Sequence, residues 1–338
     1  MMAGLSLGTD MQRRGFMTLL GSAAFARPLA SRAQQKVPVI AVLGSGAADS
    51  TSSKAQMELL DGGLGELGLV PGRDYVFETR WAGSDSSRFP ALATELLAQH
   101  PAAVVVSTNL AITTVQNLSR TVPIVGLSMN APLAVGLVAS LAHPAGNVTG
   151  VSTMADDLQF KLIEILREVL PQLRKLTVMF NPTNSSNPVM LDMVTRQFAS
   201  KELTIGSVGV GSPADLDAAF DEVSRQHPDA LVVLTDNSLF ALADKIIARA
   251  LAQRLPVIGS FPSDLARAGA LMSYGREPKE AFQGAARLLK KILGGAAPAD
   301  LPVEQPTKYI LAINLKTAKL LEINIPPTLL ARADELIE

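Results

Sequence analysis

The sequence contains no cysteine, a single tryptophan, three histidines and only 4% aromatic residues. Without cysteine there is no disulfide framework, no thiolate zinc site and no cysteine nucleophile. The histidines at 100, 143 and 227 are too widely spaced in sequence to suggest a metal cluster, and each is followed directly by proline. His100 and His227 fall where helices end before buried strands, a position in which histidine serves the helix terminus. An excess of charge of one sign is also missing: 30 basic residues face 31 acidic ones, for a net charge of −1. That leaves no electrostatic footprint for a polyanion, so nucleic acid is not an expected partner. The nucleophile-elbow, zinc-helix and phosphate-loop signatures are absent as well. What the chain does have is apolar residues, 48% of 338. That is enough to bury a core and to exclude disorder, and the length suits roughly two domains.

The N-terminal stretch looks like an address. Arg13-Arg14 precedes an apolar run at 16–26, and small residues surround Ser31 and Ala33. The run is well short of the ~20 residues a membrane helix needs, so 1–33 is expected to be an export signal peptide. Gln12-Arg13-Arg14-Gly15-Phe16-Met17 fits the twin-arginine type, although a Sec route stays open. No cysteine follows the run, so a lipid anchor is not expected. Cleavage after Ala33 would release a periplasmic chain with 26 basic and 30 acidic residues, a net charge of −4.

Beyond the signal, short β-branched runs alternate with amphipathic segments. Strands are expected at 37–43, 74–80, 102–107 and 123–127, with helices at 54–67, 88–99 and 110–118. Strands that are apolar throughout are buried on both faces, which implies a parallel, doubly wound α/β sheet. Residues 143–150 break the pattern, and it then restarts. Helices are expected at 158–170, 188–200, 215–226 and 239–254, with strands at 175–180, 203–208, 230–234 and 256–259. After a strand-like 270–274 come a helix at 278–293, a Gly/Ala/Pro linker at 294–298, a strand-like 309–313 and a closing helix after Pro326-Pro327. The expected architecture is α/β with two Rossmann-like lobes joined by a hinge: 36–150 plus 276–302 in the first, 151–275 plus 303–338 in the second. More than one chain crossing between them would restrict their relative motion to a hinge.

Candidate chemistry is sparse. Gly44-Ser45-Gly46 is the one phosphate-loop candidate, but Asp49 stands where a dinucleotide fingerprint needs its third glycine, so a glycine-rich turn is the better reading. The strand exits do carry small hydroxyl, amide and acidic residues: Ser45, Thr108, Asn109, Ser128 and Asn130 in the first half, and Asn181, Asp236, Asn237, Ser260 and Tyr274 in the second. In open parallel sheets the ligand crevice lies outside the carboxyl ends of the strands, so two such edges facing each other make a cleft. The same residue types are also favoured N-caps. Asp236 could pair with an ammonium group. Trp81, after the second strand, reads as packing rather than as an aromatic wall for a ligand.

Several stretches resemble the substrate-binding proteins of ABC importers whose better-known relatives are linked to tryptophan or tyrosine uptake. They are PAGNVTGVS (144–152), FNPTN (180–184), LMSYG (271–275) and, above all, the last forty residues from ADLPVEQP to ADELIE. The resemblance implies a type I periplasmic binding protein fold that closes over a small molecule. It also implies a partner permease in the membrane, a monomer, and neither cofactor nor metal. Where relatives often carry Asp-Pro after the fourth strand, this chain has Asn130-Ala131-Pro132, so the ligand contacts at 128–132 are expected to differ. On this reading the chain captures a small polar solute, an amino acid or similar carboxylate, and hands it to the permease. The rival classes are a secreted α/β hydrolase or isomerase, which would need a nucleophile–base pair, and a ligand-sensing regulator, which would need a DNA-binding helix-turn-helix where the export signal stands.

Overall fold

The computed structural model describes Met1 and residues 37–338, apart from Ser84, residues 199–202 and Pro262. The expected export segment therefore lies outside the described residues, Met1 aside. The chain divides into two units, Met1–Val37 and Pro38–Glu338, and the second holds both sheets.

The first sheet is built by β1 (Val39–Gly44), α1 (Thr51–Glu66), β2 (Val76–Trp81), α2 (Phe89–Leu97), β3 (Ala103–Val106), α3 (Asn109–Leu118), β4 (Ile124–Met129) and β5 (Val148–Ser152). Its five strands run parallel in the order β2-β1-β3-β4-β5. Strand alternation sorts the apolar residues onto two faces. Ala41, Leu43, Val104 and Val106 join α2 and α3 in one core, while Ile40, Val42, Ala103 and Val105 join α1 in the other. β5 runs two residues beyond the expected boundary at 150, because Val148–Ser152 continues the ladder on β4.

The second sheet follows with α4 (Ala155–Val169), β6 (Lys175–Phe180), α5 (Ser186–Phe198), β7 (Thr204–Gly209), α6 (Leu216–Gln226), β8 (Ala230–Val233), α7 (Asn237–Ala241), α8 (Ala243–Ala252), β9 (Val257–Gly259), α9 (Asp264–Arg267) and β10 (Met272–Arg276). The chain then forms α10 (Pro278–Leu293), β11 (Tyr309–Asn314), α11 (Leu315–Leu320), α12 (Pro327–Leu330) and β12 (Glu335–Ile337). The strand order is β12-β11-β10-β9-β8-β6-β7. All neighbours are parallel except β10 and β11. Val178 and Val232 face one core and Met179, Leu231 and Val233 the other, so this lobe too is covered on both sides.

Two expectations are corrected here. The single helix at 239–254 is two, broken at Leu242, because Asp236 caps a short first turn and the Leu242 N–H closes back onto Leu239 rather than four residues earlier. The closing helix after Pro326 lasts only four residues, and Glu335–Ile337 then adds a parallel edge strand on β11. Three residues that begin with a charge carry too little pattern to be read as a strand.

α10 leaves β10 and packs on α1 and against β4 and β5, placing Phe282, Ala285, Ala286 and Leu289 in the core of the first lobe with Leu60 and Leu64. The polypeptide thus passes between the lobes at 153–154, at 277 and at 305–308. The strands beside these passages are tied together. Ser152 N–H donates to Glu304 C=O at 2.8 Å, Glu304 N–H donates to Gly150 C=O at 2.9 Å, and Glu277 N–H donates to Lys308 C=O at 3.3 Å. Three such passages let two lobes rotate about them and resist shearing.

Candidate functional site

The carboxyl ends of the two sheets meet. Asn109 opens α3, and its side chain grips the exit of β4 from both sides: Nδ2–H donates to Asn130 C=O at 2.7 Å and Oδ1 accepts from Asn130 N–H at 3.1 Å. Thr108 is the N-cap of α3, its hydroxyl accepting from Ala111 N–H. The exit loop turns through Ala131 at φ 42°, a left-handed conformation held in place by the Asn109 clamp. So fixed, the Asn130 side chain lies between the lobes. Its Oδ1 accepts from the Thr153 hydroxyl at 2.7 Å, and its Nδ2–H donates to Thr235 C=O at 3.4 Å in the second lobe.

The network continues inside the second lobe. The Thr235 and Ser260 hydroxyls lie 2.7 Å apart, and Gln159 of α4 donates its amide to both. Asn187 Nδ2–H also donates to Thr235 C=O, at 3.2 Å, while its Oδ1 accepts from Asn181 N–H at 2.9 Å. Asp236 is the N-cap of α7. Its Oδ1 accepts from Ser238 and Leu239 N–H at 2.8 and 3.0 Å and from Asn181 Nδ2–H at 3.2 Å, and its Oδ2 accepts from Asn184 Nδ2–H at 2.7 Å.

Four buried side-chain atoms make no hydrogen bond among the described residues: the hydroxyls of Ser107 and Ser273, Gln159 Oε1 and Arg276 Nη1, of which the last two bear on the seam. Gln159 is fully inaccessible, yet its Oε1 accepts no hydrogen bond among the described residues. Arg276, the last residue of β10, reaches across the seam, where its Nη2 donates to Leu127 C=O at 3.0 Å and to the Ser128 hydroxyl. Its Nη1 is shielded from solvent and makes no hydrogen bond among the described residues. Native proteins leave few such groups unsatisfied, so each one needs a reason.

Of the residues singled out from sequence, Asn109, Asn130, Asn181, Asp236 and Ser260 share this hydrogen-bonded network, and Ser128 holds Arg276. Thr108 serves as a cap at its edge. Ser45 is half-buried and Asn237 exposed, the latter beginning α7. Tyr274 faces elsewhere. It lines a separate pocket of about 280 Å³ with Lys161, Ile165, Tyr309, Leu311, Arg332 and Asp334, between α4 and the β10–β11 pair, and its ring lies 5.7 Å from that of Tyr309. Trp81 lies across the end of β1, where a Cβ on Gly44 would fall inside its ring. All three histidines are exposed. His227 caps α6 in a left-handed conformation, φ 49°, whereas α2 is capped by Ala98 and His100 turns left-handed, φ 51°, three residues past its end.

Gln159 and Arg276 escape a reading based on strand-end loops alone, whereas Thr235 stands in the β8 exit loop directly before Asp236. Gln159 does leave a trace: with Leu162, Ile163 and Leu166 it falls on one face of α4, a polar interruption of a buried stripe. Arg276 shows as a charge ending the otherwise neutral β10, yet its contacts with β4 are 148 and 149 residues distant in sequence.

Two doubly wound lobes, three passages between them and a polar seam where the strand ends meet define a protein of the type I periplasmic binding class. The chain belongs to the ABC transporter substrate binding protein family, whose model matches residues 36–337. It is 25% identical over 208 residues to the tyrosine-binding protein of Clostridioides difficile, a stretch covering 61% of this chain and 59% of that one. The chain spans little more than half the length of the curated relatives it matches, 59% and 53%. Among solved structures it resembles a conserved domain protein from Vibrio cholerae, with a TM-score of 0.82 and 24% identity over 89% of this chain and all of that one. It also resembles an ABC domain from Streptococcus pneumonia in complex with L-Trp, with a TM-score of 0.81 and 21% identity over the same shares. Among the described residues no helix is long and apolar enough to cross a membrane, and no group of histidine, aspartate and glutamate is arranged to hold a metal ion.

Proposed function

We propose that the chain is the exported solute receptor of an ABC importer: it closes its lobes over a small amino acid or similar carboxylate and presents the closed form to a membrane permease. The observation that carries this reading is the seam, where a run of hydrogen bonds passes from Thr153 and Asn130 to Thr235, Ser260 and Gln159 and ends on the buried Gln159 Oε1, which has no donor among the described residues. A network that orders both lobe edges and still has acceptor capacity in reserve is suited to a polar solute that must be desolvated and held between them. Asn109, Asn130, Asn181, Asp236, Ser260 and Gln159 are the contacts we assign. The carboxylate Oδ2 of Asp236, with a single donor, retains capacity for an ammonium group. The relatives named for tyrosine and L-Trp support an amino-acid cargo. The periplasm follows from the twin-arginine-like start, and residues 34–338 would be the mature receptor.

The test is a thermal-shift panel on residues 34–338 with amino acids, small carboxylates, sugars and nucleosides. A ligand at one hundred times its dissociation constant adds ~2.7 kcal/mol, which raises the midpoint measurably for a chain of this size. Amino acids should shift it. If only sugars or nucleosides do, the cargo assignment is wrong.

A further inference from the structure

We propose that Arg276 reads the negative charge of the solute, so that the site binds carboxylates and rejects their neutral isosteres. The inference rests on the solute-receptor reading and assigns its charge selectivity to one residue.

The guanidinium lies at the seam because its own fold puts it there. β10 ends at Arg276, and Nη2 is pinned from the opposite lobe by Leu127 C=O and the Ser128 hydroxyl. Nη1, on the same planar group, is thereby held in one orientation, out of solvent and without a hydrogen-bond acceptor among the described residues. Neutral oxygens satisfy part of the group, and no ion pair forms with it among the described residues. Glu280 is the carboxylate whose field reaches it, but Glu280 is committed elsewhere. It accepts from Thr307 N–H at 2.9 Å, the Thr307 hydroxyl at 2.6 Å and Lys308 N–H at 3.1 Å.

Taking a guanidinium out of water without an anionic partner is costly. The cost registers as burial drawing its pKa down to about 10, well below the ordinary guanidinium range, with Glu280 and Tyr309 opposing only in part. A bound carboxylate reverses that imbalance. It accepts the free Nη1–H, supplies the missing charge and, lying beside Ser128, contacts the lobe opposite the Gln159 and Asp236 end of the network. Arginine is the side chain suited to this because its planar fork matches a carboxylate, and buried charged hydrogen bonds exceed neutral ones. Since one nitrogen of the fork is tied to β4, the ligand charge also holds the lobes together, which couples recognition to closure.

The experiment is calorimetric titration of residues 34–338 with each of the twenty L-amino acids and with the corresponding α-amides, which keep size and amine but lose the charge. Wild-type protein should bind an amino acid at least tenfold more tightly than its amide. Arg276→Gln should abolish that preference, weakening the acid at least tenfold more than the amide. Because Arg276 also ties the lobes, the acid-to-amide ratio on the wild type is a test that needs no variant. If acid and amide bind the wild type equally, the receptor reading stands and Arg276 is a structural tie only. If Arg276→Gln lowers both equally, the assignment falls likewise. If no amino acid or amide binds, the amino-acid receptor reading fails and the inference fails with it.

Discussion

Asp236 offers the sharpest separation of architecture from recognition, because one carboxylate collects four donors, three on Oδ1 and one on Oδ2. Asp236→Asn keeps an oxygen for Ser238 and Leu239, and asparagine caps as well as aspartate. Its new amide, however, would face Asn184 Nδ2–H, donor against donor. Asn184 cannot simply flip, since its Oδ1 already accepts from Ser186 N–H at 3.1 Å and the Ser186 hydroxyl at 2.8 Å. One lost hydrogen bond and one orphaned donor cost about 1–3 kcal/mol. Asp236→Ala removes the cap too, about 1 kcal/mol more, and strands Asn181, for a total of about 3–5 kcal/mol. Urea denaturation should show both losses as falling midpoints at unchanged slope. On the recognition side, Asp236→Asn should weaken an amino acid by over tenfold, ~1.5–3 kcal/mol for a charged hydrogen bond, while leaving its deaminated analogue nearly unaffected. Stability within 0.5 kcal/mol of wild type would refute the four-donor arrangement. An unchanged ratio of amino acid to deaminated analogue would remove Asp236 from recognition and leave it as a cap.

Other perturbations probe the frame. Gly150→Ala would drive a Cβ into the backbone of Gly126, 2.8 Å from its Cα and 2.6 Å from its nitrogen; backbone cannot yield as a side chain does, so denaturation should show a loss of about 3 kcal/mol or more, and a loss under 1 kcal/mol would contradict the β4–β5 approach. Gly44→Ala should displace the ring of Trp81, the only tryptophan, and shift its fluorescence; an unchanged spectrum would mean the ring does not lie across β1. Glu280 is subject to burial, which alone would raise its pKa, but the hydrogen bonds from Thr307 and Lys308 together outweigh it and hold the group below its ordinary 4.5. A carboxylate with a depressed folded-state pKa contributes stability that is present above its unfolded value and is lost as pH falls through the folded one. Glu280→Gln should therefore be less stable than wild type at pH 7, with the gap closing below pH 4.5; a gap independent of pH would contradict the ionised brace on the third passage.

The architecture was largely legible because the strands buried on both faces announce themselves. AVVV at 103–106 and ALVV at 230–233 can only be inner strands, and both are fully buried. Helix ends were legible for chemical reasons, with Pro278 opening α10 and His227 closing α6. The edges were not: Glu335–Ile337 is too short to show a period, and its place beside β11 is fixed by tertiary pairing. The hydrogen-bonded seam divides in the same way. Strand-exit residues such as Asn130, Asn181 and Ser260 follow from the geometry of a parallel sheet, which puts every loop after a strand on one side. That rule could not separate Tyr274 from them, because a side chain on the last residues of a strand can turn to either face, and Tyr274 turns toward α4. Nor could it supply Gln159 or Arg276, one on the buried side of a helix and the other acting across the lobes.

The central claim is that a carboxylate solute lies at the seam between the lobes. The most direct measurement is a crystal structure of residues 34–338 grown with the amino acid that gives the largest thermal shift. The account predicts the ligand between Asn130 and Gln159, with its carboxylate on Arg276 Nη1. Density for it in the pocket of Tyr274, Tyr309 and Lys161 instead would contradict the account, placing recognition on the face of the second sheet and leaving the polar seam as a structural latch.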